Sequence, residues 1–485
     1  MSYIPALALG GERALTLWTM ISGWAATALL FTLTRRFLDL RWSLALALIF
    51  LTTPAVLYGG GNGQVEIRNA LFVMVAAFAV AQALKTGLLR YAVLAGLAAG
   101  FFMATKYLGL LFVAAAGLVI LAQKKWFMHG AVFLLAALIA GGQWYIWNYT
   151  HTGDPVFPML YGMLDYLNPD YWNTAYQQIF ETLFRLDKAV PANSLWFFAY
   201  PFAATFGLYD VFESGRTGMG PFVLLALLFA TFGLWRFRGH LIRSPLLPVA
   251  VLAGIFYGLW FFTASSQRVR HLLPVYPLVL LCVMVAAHRW ATETGHLKPL
   301  AGAVLLTCLI QLAGQAVFGM SYGRYVLTGE TREAFLLRTV RGYAPVPWIN
   351  KNLGKNDLIY TQERQLIYLF DVPVYYGHWA LDARIDTRPA ADDPVKFFRQ
   401  LTAQSISHLL VQGEMPAPGR YDRSKAKGYG LWRELAVRGC LETVKSIKGP
   451  SFGSRTLKTM VTNTTFHILK LKSPACLDNE KAPRL

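Results

Sequence analysis

The amino-acid sequence predicts a polytopic α-helical membrane protein that carries a soluble α/β domain at its C-terminal end. Three observations lead to this. Of the 485 residues, 55% are hydrophobic and only 15% are charged, whereas soluble globular chains carry about 25% charged residues. Up to about residue 320 the charges sit in short gaps between apolar runs, while from Ser321 onward the chain holds 25 Lys/Arg and 15 Asp/Glu, as a soluble domain does. The apolar runs approach the roughly 20 residues that a helix needs to cross a hydrocarbon core.

Ten spans are predicted, at 14–34, 43–59, 70–84, 91–104, 107–122, 127–147, 217–235, 245–262, 271–288 and 298–318. Two of them, 91–104 and 107–122, are short and flank Lys106. They form either one broken hairpin or two spans lengthened by flanking residues; irregular backbone at depth is tolerated where protein or a water-filled cavity surrounds it. Lys and Arg set the orientation. One alternate set of loops holds Arg35, Arg36, Arg41, Lys85, Arg90, Lys124, Lys125, Arg236, Arg238, Arg243, Arg289 and Lys298; the other set of short loops holds Arg13, Arg68, Lys106, Arg268 and Arg270. The richer set is placed in the cytoplasm. The poorer set, the long 148–216 loop and the domain from 321 to 485 then face outward. Within that long loop the aromatic run Leu195–Tyr209 reads as a helix lying in the membrane interface. Ten spans also put the N-terminus outside. A start of Met1-Ser-Tyr-Ile-Pro, with no basic n-region or cleavage site, then reads as one that a further helix should precede.

The formal net charge of +19 does not point to nucleic acid, because much of the excess flanks apolar helices, where topology accounts for it. In the C-terminal domain, Asp357–Tyr360, His408–Val411 and Phe466–Leu471 are strand candidates. Glu330–Leu353, broken near Pro345 and Pro347, reads as helical, as do Asp393–Gln404 and Gly430–Arg438, an α/β alternation. Cys282 and Cys308 fall inside spans. Cys440 and Cys476 fall in the outward domain, where oxidising conditions predict a disulfide, with two unpaired buried thiols as the alternative.

Four polar constellations lie at outward helix ends, where charge is expensive and usually functional. In Tyr58-Gly-Gly-Gly-Asn-Gly-Gln-Val-Glu-Ile-Arg-Asn69 a glycine-rich loop leads to Glu66, able to accept a proton or bind a metal, and Arg68, able to bind an anion. The plainer reading is a salt bridge closing a helix start. In Ala104-Thr-Lys-Tyr107, Lys106 suits a lipid phosphate or simply snorkels to the interface. In Trp147-Asn-Tyr-Thr-His-Thr-Gly-Asp154, His151 and Asp154 form either a polar pair or part of a capped exit turn. In Ser265-Ser-Gln-Arg-Val-Arg-His271, Arg268 and Arg270 suit bidentate phosphate contact or head-group anchoring. No Gly-x-Ser-x-Gly, His-Glu-x-x-His, Walker loop, dinucleotide fingerprint or His/Cys metal spacing occurs.

Together these segments resemble the GT-C-fold membrane glycosyltransferases of bacteria, the superfamily of the protein O-mannosyltransferases and the lipid A aminoarabinose transferase. The similar features are Thr53-Pro54 with the loop to Glu66, Ala104-Thr-Lys-Tyr-Leu-Gly109, Asn148-Tyr-Thr-His-Thr-Gly-Asp-Pro-Val-Phe-Pro158, Arg268-Val-Arg-His-Leu-Leu-Pro274, Ala344-Pro-Val-Pro-Trp-Ile-Asn350 and Ser405-Ile-Ser-His-Leu-Leu-Val411. The resemblance implies a bacterial inner-membrane enzyme with a periplasmic C-terminal domain. It would transfer sugar from a polyprenyl-phosphate donor to a lipid, glycan or protein acceptor. It casts Glu66 and Asp154 as catalytic carboxylates and Lys106, Arg68, Arg268 and Arg270 as holders of the donor phosphate. Tyr107, Asn148, His151 and His271 fall on the acceptor side or its loops, and a divalent metal stays open as cofactor. Members begin with a further span and a first outer loop bearing the catalytic Asp; Glu66 matches the second acidic position, so this sequence is expected to lack that first segment. The rival readings are a lipid or polysaccharide transporter and an inactive scaffold that binds lipid-linked sugar.

Overall fold

The computed structural model describes residues 3–164, 172–416, 427–452 and 461–478. Packing divides the chain into two units, Met1–Asp165 with Leu183–Gly319, and Tyr166–Thr182 with Met320–Leu485. A stretch of the expected outer loop, residues 172–182, therefore packs with the C-terminal unit.

The first unit is helical. It contains α1 (Ile4–Thr34), α2 (Leu40–Thr52), α3 (Pro54–Asn62), α4 (Glu66–Thr86), α5 (Leu89–Thr105), α6 (Leu108–Ile120), α7 (Trp126–Gly141) and α8 (Gln143–Thr152). After α9 (Thr174–Leu186), which begins in the second unit, come α10 (Ser194–Phe206), α11 (Ser214–Thr217), α12 (Phe222–Leu225), α13 (Leu227–Ile242), α14 (Leu246–Thr263), α15 (Tyr276–Thr294) and α16 (Leu297–Thr328). Helices α1, α4, α14 and α16 are long and apolar enough to cross a membrane, and the bent pairs α2–α3 (56°) and α7–α8 (64°) bring the number to six if each crosses as one span. Ten crossings are more than length and composition support, since α5 and α6 hold 17 and 13 residues.

Burial sorts these helices. Of the most apolar stretch of α4, 72% is buried, against 22% in α1 and α16. The centre of the unit is thus α4, whose Ala70, Ala76, Ala77, Ala79, Ala81 and Ala83 are buried. Small side chains let helices approach closely where lipid removes the hydrophobic drive to associate. The same logic acts between α5 and α7: a Cβ on Gly100 would lie 2.4 Å from the Ala137 carbonyl oxygen. Outward, α1 shows Leu17, Trp18, Ile21 and Trp24, and α16 shows Leu305, Leu306, Leu309 and Ile310. Apolar faces of this extent have lipid as their solvent.

Several expectations are corrected. Helix α1 starts at Ile4 rather than near residue 14, with a break at Gly10–Gly11 where Gly11 takes φ 62°. The expected glycine-rich loop is helical: Tyr58–Asn62 is the last part of α3, which ends at left-handed Gly63. Helix α15 starts at Tyr276, not at 271. Pro274 lacks an amide hydrogen for a helical bond, and Val269–Leu272 forms a 3-10 turn instead, so His271 lies outside the span. The helix expected at Leu195–Tyr209, by contrast, is present as α10, with Tyr200, Ala203 and Ala204 buried and Leu195, Phe198 and Phe206 exposed.

The second unit holds α17 (Arg332–Thr339), α18 (Val346–Asn352), α19 (Pro394–Ala403), α20 (Leu431–Val437) and five strands: β1 (Ile359–Thr361), β2 (Val374–Tyr376), β3 (His408–Gln412), β4 (Leu441–Phe452) and β5 (Val461–Leu471). The sheet order is β2-β1-β3-β5-β4. Strand β1 runs parallel to β2 and β3, and β5 runs antiparallel to β3 and β4. Strand β3 is buried on both faces: Leu409 and Val411 join Phe398 and Leu435 in one core, and Leu410 joins Val346 and Ile349 in the other. The expected break near Pro345 is present: residues 340–345 separate α17 from α18, with Pro345 at the N-cap of α18 and Pro347 in its first turn. Strands β2 and β4 were not expected. Both are sheet edges, and polar β4 carries the Lys445 and Lys448 that suit an exposed edge.

Cys440 and Cys476 are bonded, with Cα atoms 5.2 Å apart and a sequence separation of 36. Alkylation of the denatured protein without reductant is expected to label Cys282 and Cys308 alone, and all four cysteines after reduction; equal labelling in both conditions removes the disulfide. Replacing both bonded cysteines by serine is expected to cost about 3–4 kcal/mol of domain stability for a loop of this length.

Candidate active site

The site is built around a helix break. Helix α5 ends at Thr105, Lys106 is extended (φ −163°, ψ 142°), and α6 starts at Leu108. The turn is tight because residue 109 is glycine: a Cβ there would stand 2.4 Å from the Met103 backbone. Thr105 Oγ1 donates to the Oδ1 of buried Asn69 (2.8 Å), fixing the break against the first turns of α4. That places the Lys106 ammonium 2.7 Å from Oε1 of Glu66, the first residue of α4.

A second arm comes from the turn between α14 and α15. Arg270 Nε lies 3.9 Å from Glu66 Oε1, and Arg270 Nη1 lies 3.6 Å from Glu213 Oε2. Glu213 also stands 3.2 Å from Arg216 and 3.7 Å from Arg268, while Arg268 donates to Asp187 Oδ1 at 3.0 Å. Glu213 adopts left-handed backbone geometry, φ 56°, uncommon for a residue with a Cβ. Buried Gln267 anchors this turn. Its Oε1 accepts from Ala189 N (2.8 Å) and Val190 N (2.9 Å), its Nε2 donates to Val190 O (2.7 Å), and its own amide donates to Asp187 O (2.9 Å). The Tyr200 hydroxyl of α10 donates to Gln267 O at 2.7 Å.

Four cations, Lys106, Arg216, Arg268 and Arg270, thus interleave with three carboxylates, Glu66, Glu213 and Asp187. Arg270 Nε, Arg216 Nε, Glu213 Oε2 and His271 Nδ1 are buried and make no hydrogen bond. Burial holds the His271 pKa well below the usual histidine value, and the Lys106, Arg270 and Arg268 charges add to that, against a backbone hydrogen bond at Ser266. The imidazole is therefore neutral at pH 7. Among the described residues no three His, Cys, Asp or Glu converge as metal ligands. Each carboxylate of the cluster already faces a Lys or Arg, so the donor set fits an oxyanion rather than a divalent cation.

A second group adjoins it. Asn148 donates to the Tyr107 hydroxyl (2.9 Å) and to Pro155 O (3.2 Å), and Tyr107 donates to Phe157 O (2.9 Å). Asp154 is fully buried and accepts from Val156 N (2.8 Å) and Leu160 N (3.0 Å). Its carboxylate organises the 154–160 turn. Of the two readings of this segment the structure has the turn rather than the His151–Asp154 pair: His151 stacks on Trp147 at 4.2 Å on the surface, with Nδ1 2.8 Å from Trp147 O. Arg68, next to Glu66 in α4, turns to Tyr3, its guanidinium 4.3 Å from the ring centroid, while the Tyr3 hydroxyl donates to Gly63 O.

The same architecture is found in the crystal structure of ArnT from Cupriavidus metallidurans in the apo state: 12% identity, TM-score 0.54, covering 96% of this chain and 86% of that one. This chain has a GT-C fold. Residues 2–147 match the dolichyl-phosphate-mannose-protein mannosyltransferase family. The matched region contains Glu66, Arg68, Lys106 and Tyr107 and ends before Asp154, Glu213 and Arg270. A further solved structure, the Archaeoglobus fulgidus oligosaccharyltransferase tethered to an acceptor peptide, aligns at 14% identity and TM-score 0.40 over 93% of this chain and 62% of that one. No curated protein matches.

Within this GT-C unit the structure brings together Glu66, Lys106, Arg268, Arg270 and His271, and separately Tyr107, Asn148 and Asp154. Three members of the cluster were missed by sequence reasoning: Asp187, Glu213 and Arg216. A signal existed. Glu213-Ser-Gly-Arg216 stands immediately before the apolar run at 217–235, as Arg268-Val-Arg270 does before the next but one.

Two predictions follow from this packing. Gly109→Ala is expected to cost about 1–3 kcal/mol by overpacking and to lower the midpoint of thermal unfolding in detergent; an unchanged midpoint argues against the close approach. In a double-mutant cycle, Glu66→Gln and Lys106→Met are expected to couple by about 1–3 kcal/mol, because each single change strands a largely buried charge. Additive effects would show that the pair does not form.

Proposed function

We propose that this protein transfers a sugar from a polyprenyl-phosphate-linked donor to a lipid, glycan or protein acceptor at the outer face of the bacterial inner membrane, with its C-terminal domain in the periplasm. The observation that carries this reading is the convergence of Lys106, Arg268 and Arg270 beside buried polar atoms that lack hydrogen bonds. Such a cluster suits a phosphate ester whose lipid tail stays in the bilayer. Arginine offers a planar fork to two phosphate oxygens and lysine a point charge. The match of residues 2–147 to a family named for a polyprenyl-phosphate mannose donor supports the same class.

In this reading Lys106, Arg268 and Arg270 hold the donor phosphate and stabilise the charge that grows on it as the glycosidic bond breaks. Glu66 orients Lys106 and Arg270. Tyr107, Asn148 and the Asp154 turn shape the acceptor side, and Arg68 with Tyr3 braces the start of α4.

The test uses membranes containing the protein and labelled polyprenyl-phosphate sugars. Label is expected to reach an acceptor, and Arg270→Ala or Lys106→Ala is expected to lower kcat/KM by about 100-fold or more, the usual effect of removing a transition-state charge partner. Donor binding without transfer favours an inactive scaffold. Transfer that survives both substitutions removes this cluster as the phosphate site.

A further inference from the structure

The transfer just proposed needs a base for the acceptor hydroxyl, and the inference here rests on that reading. The three carboxylates of the cluster are each committed: Glu66 to Lys106 at 2.7 Å, Asp187 to Arg268 at 3.0 Å, and Glu213 to three arginines between 3.2 and 3.7 Å. Asp154 holds two backbone amides. A carboxylate so engaged is a weak proton acceptor. Glu213 Oε2 also lacks a hydrogen bond but faces Arg270 at 3.6 Å, so the one titratable side chain of the cluster that is not paired with a cation is His271. His271 is 92% buried, adjoins Arg270 in the same turn, and has its Nδ1 without a hydrogen-bond partner.

We propose that His271 is the general base that takes the proton of the acceptor hydroxyl, and that the donor phosphate strengthens this base by neutralising the cations around it. The acceptor oxygen forms a bond to the anomeric carbon. The bond from that carbon to the phosphate oxygen breaks, and its electron pair leaves with the polyprenyl phosphate. The acceptor proton moves to the imidazole and is later lost to water. No other reactant is required.

The charged groups facing His271 decide the direction of the effect. Lys106 stands at the break between α5 and α6 and Arg268 and Arg270 on the histidine's own turn, and all three oppose its protonation; Glu66 and Glu213 pair with these cations. Without donor, burial first and the three cations second oppose protonation, so the imidazole is neutral but a poor base. A bound phosphate adds negative charge among the same cations, which favours the imidazolium. Base strength therefore rises when donor is in place, which couples proton abstraction to donor occupancy and protects an empty site from idle protonation. The sign is definite. Activity is lost as pH falls through the histidine pKa, and that acid limb stands at higher pH in the donor complex than in the free protein. Since kcat/KM reports the free form and kcat the complex, the acid limb of kcat is expected at higher pH than that of kcat/KM.

The experiment measures transfer and donor binding by the full-length protein in membranes, using a labelled polyprenyl-phosphate sugar across pH 5–9. His271→Gln is expected to lower kcat by about 10²–10⁴-fold, with donor binding changed by less than about threefold and the acid limb abolished. His271→Ala is expected to regain activity on addition of imidazole. Three outcomes overturn the proposal. Retention of kcat and of the acid limb in His271→Gln excludes the base. Loss of donor binding in both variants without imidazole rescue makes His271 a structural residue. Absence of transfer by the wild-type protein overturns the glycosyltransfer reading itself, a result the variants do not produce.

Discussion

The contact on which the rest of the site depends is the ion pair between Lys106 and Glu66. Lys106 interrupts two apolar helices, and a charge set among apolar helices is tolerated when it has a partner or a wet cavity. Glu66 supplies the partner because α4 begins there, and Arg270 reaches the same carboxylate from the turn before α15. One carboxylate therefore ties together three elements that are distant in sequence. The small residues serve this contact. Gly109 lets α6 turn back against α5, and Asn69 bonds Thr105 beside the break. A bulkier turn would separate Lys106 from Glu66 and leave both desolvated without compensation.

Sequence reasoning reached part of this for a physical reason. A helix in lipid satisfies its backbone internally, so apolar length alone reports its existence, and each expected span is helical, in part or throughout, in the structure. Lys106, Arg268 and Arg270 stood out because charge is rare on an apolar background. Their partners did not, because Glu213 and Asp187 lie in the long 148–216 connection outside the expected spans, where an acid is unremarkable until the fold brings it to Arg268. The bends were equally hidden: Thr53-Pro54 and Gly141-Gly142 each read as part of one run, and the turn angle depends on what packs at the corner. In the C-terminal domain β1, β3 and β5 were legible from their apolar residues, whereas β4 was not. An edge strand exposes one side to water, and its Thr, Lys and Ser follow no burial pattern.

Under the proposed donor-binding role, three carboxylates among four cations also explain how the cluster can exist without its anion. Isolated cations gathered near a bilayer would repel one another and lose hydration. Internal carboxylates provide the missing negative charge, yet several of their contacts, at 3.6–3.9 Å, are ion pairs rather than hydrogen bonds. The short Lys106–Glu66 bond preserves the architecture, while the longer arginine contacts leave donor groups such as Arg270 Nε able to bond a better acceptor. A phosphate with several oxygens satisfies these forks more fully than one carboxylate does. In the proposed role, selectivity for an oxyanion follows from the difference between firm and loose pairs within one network, and the imidazole of His271, beside Arg270, would sense that difference as a change in charge.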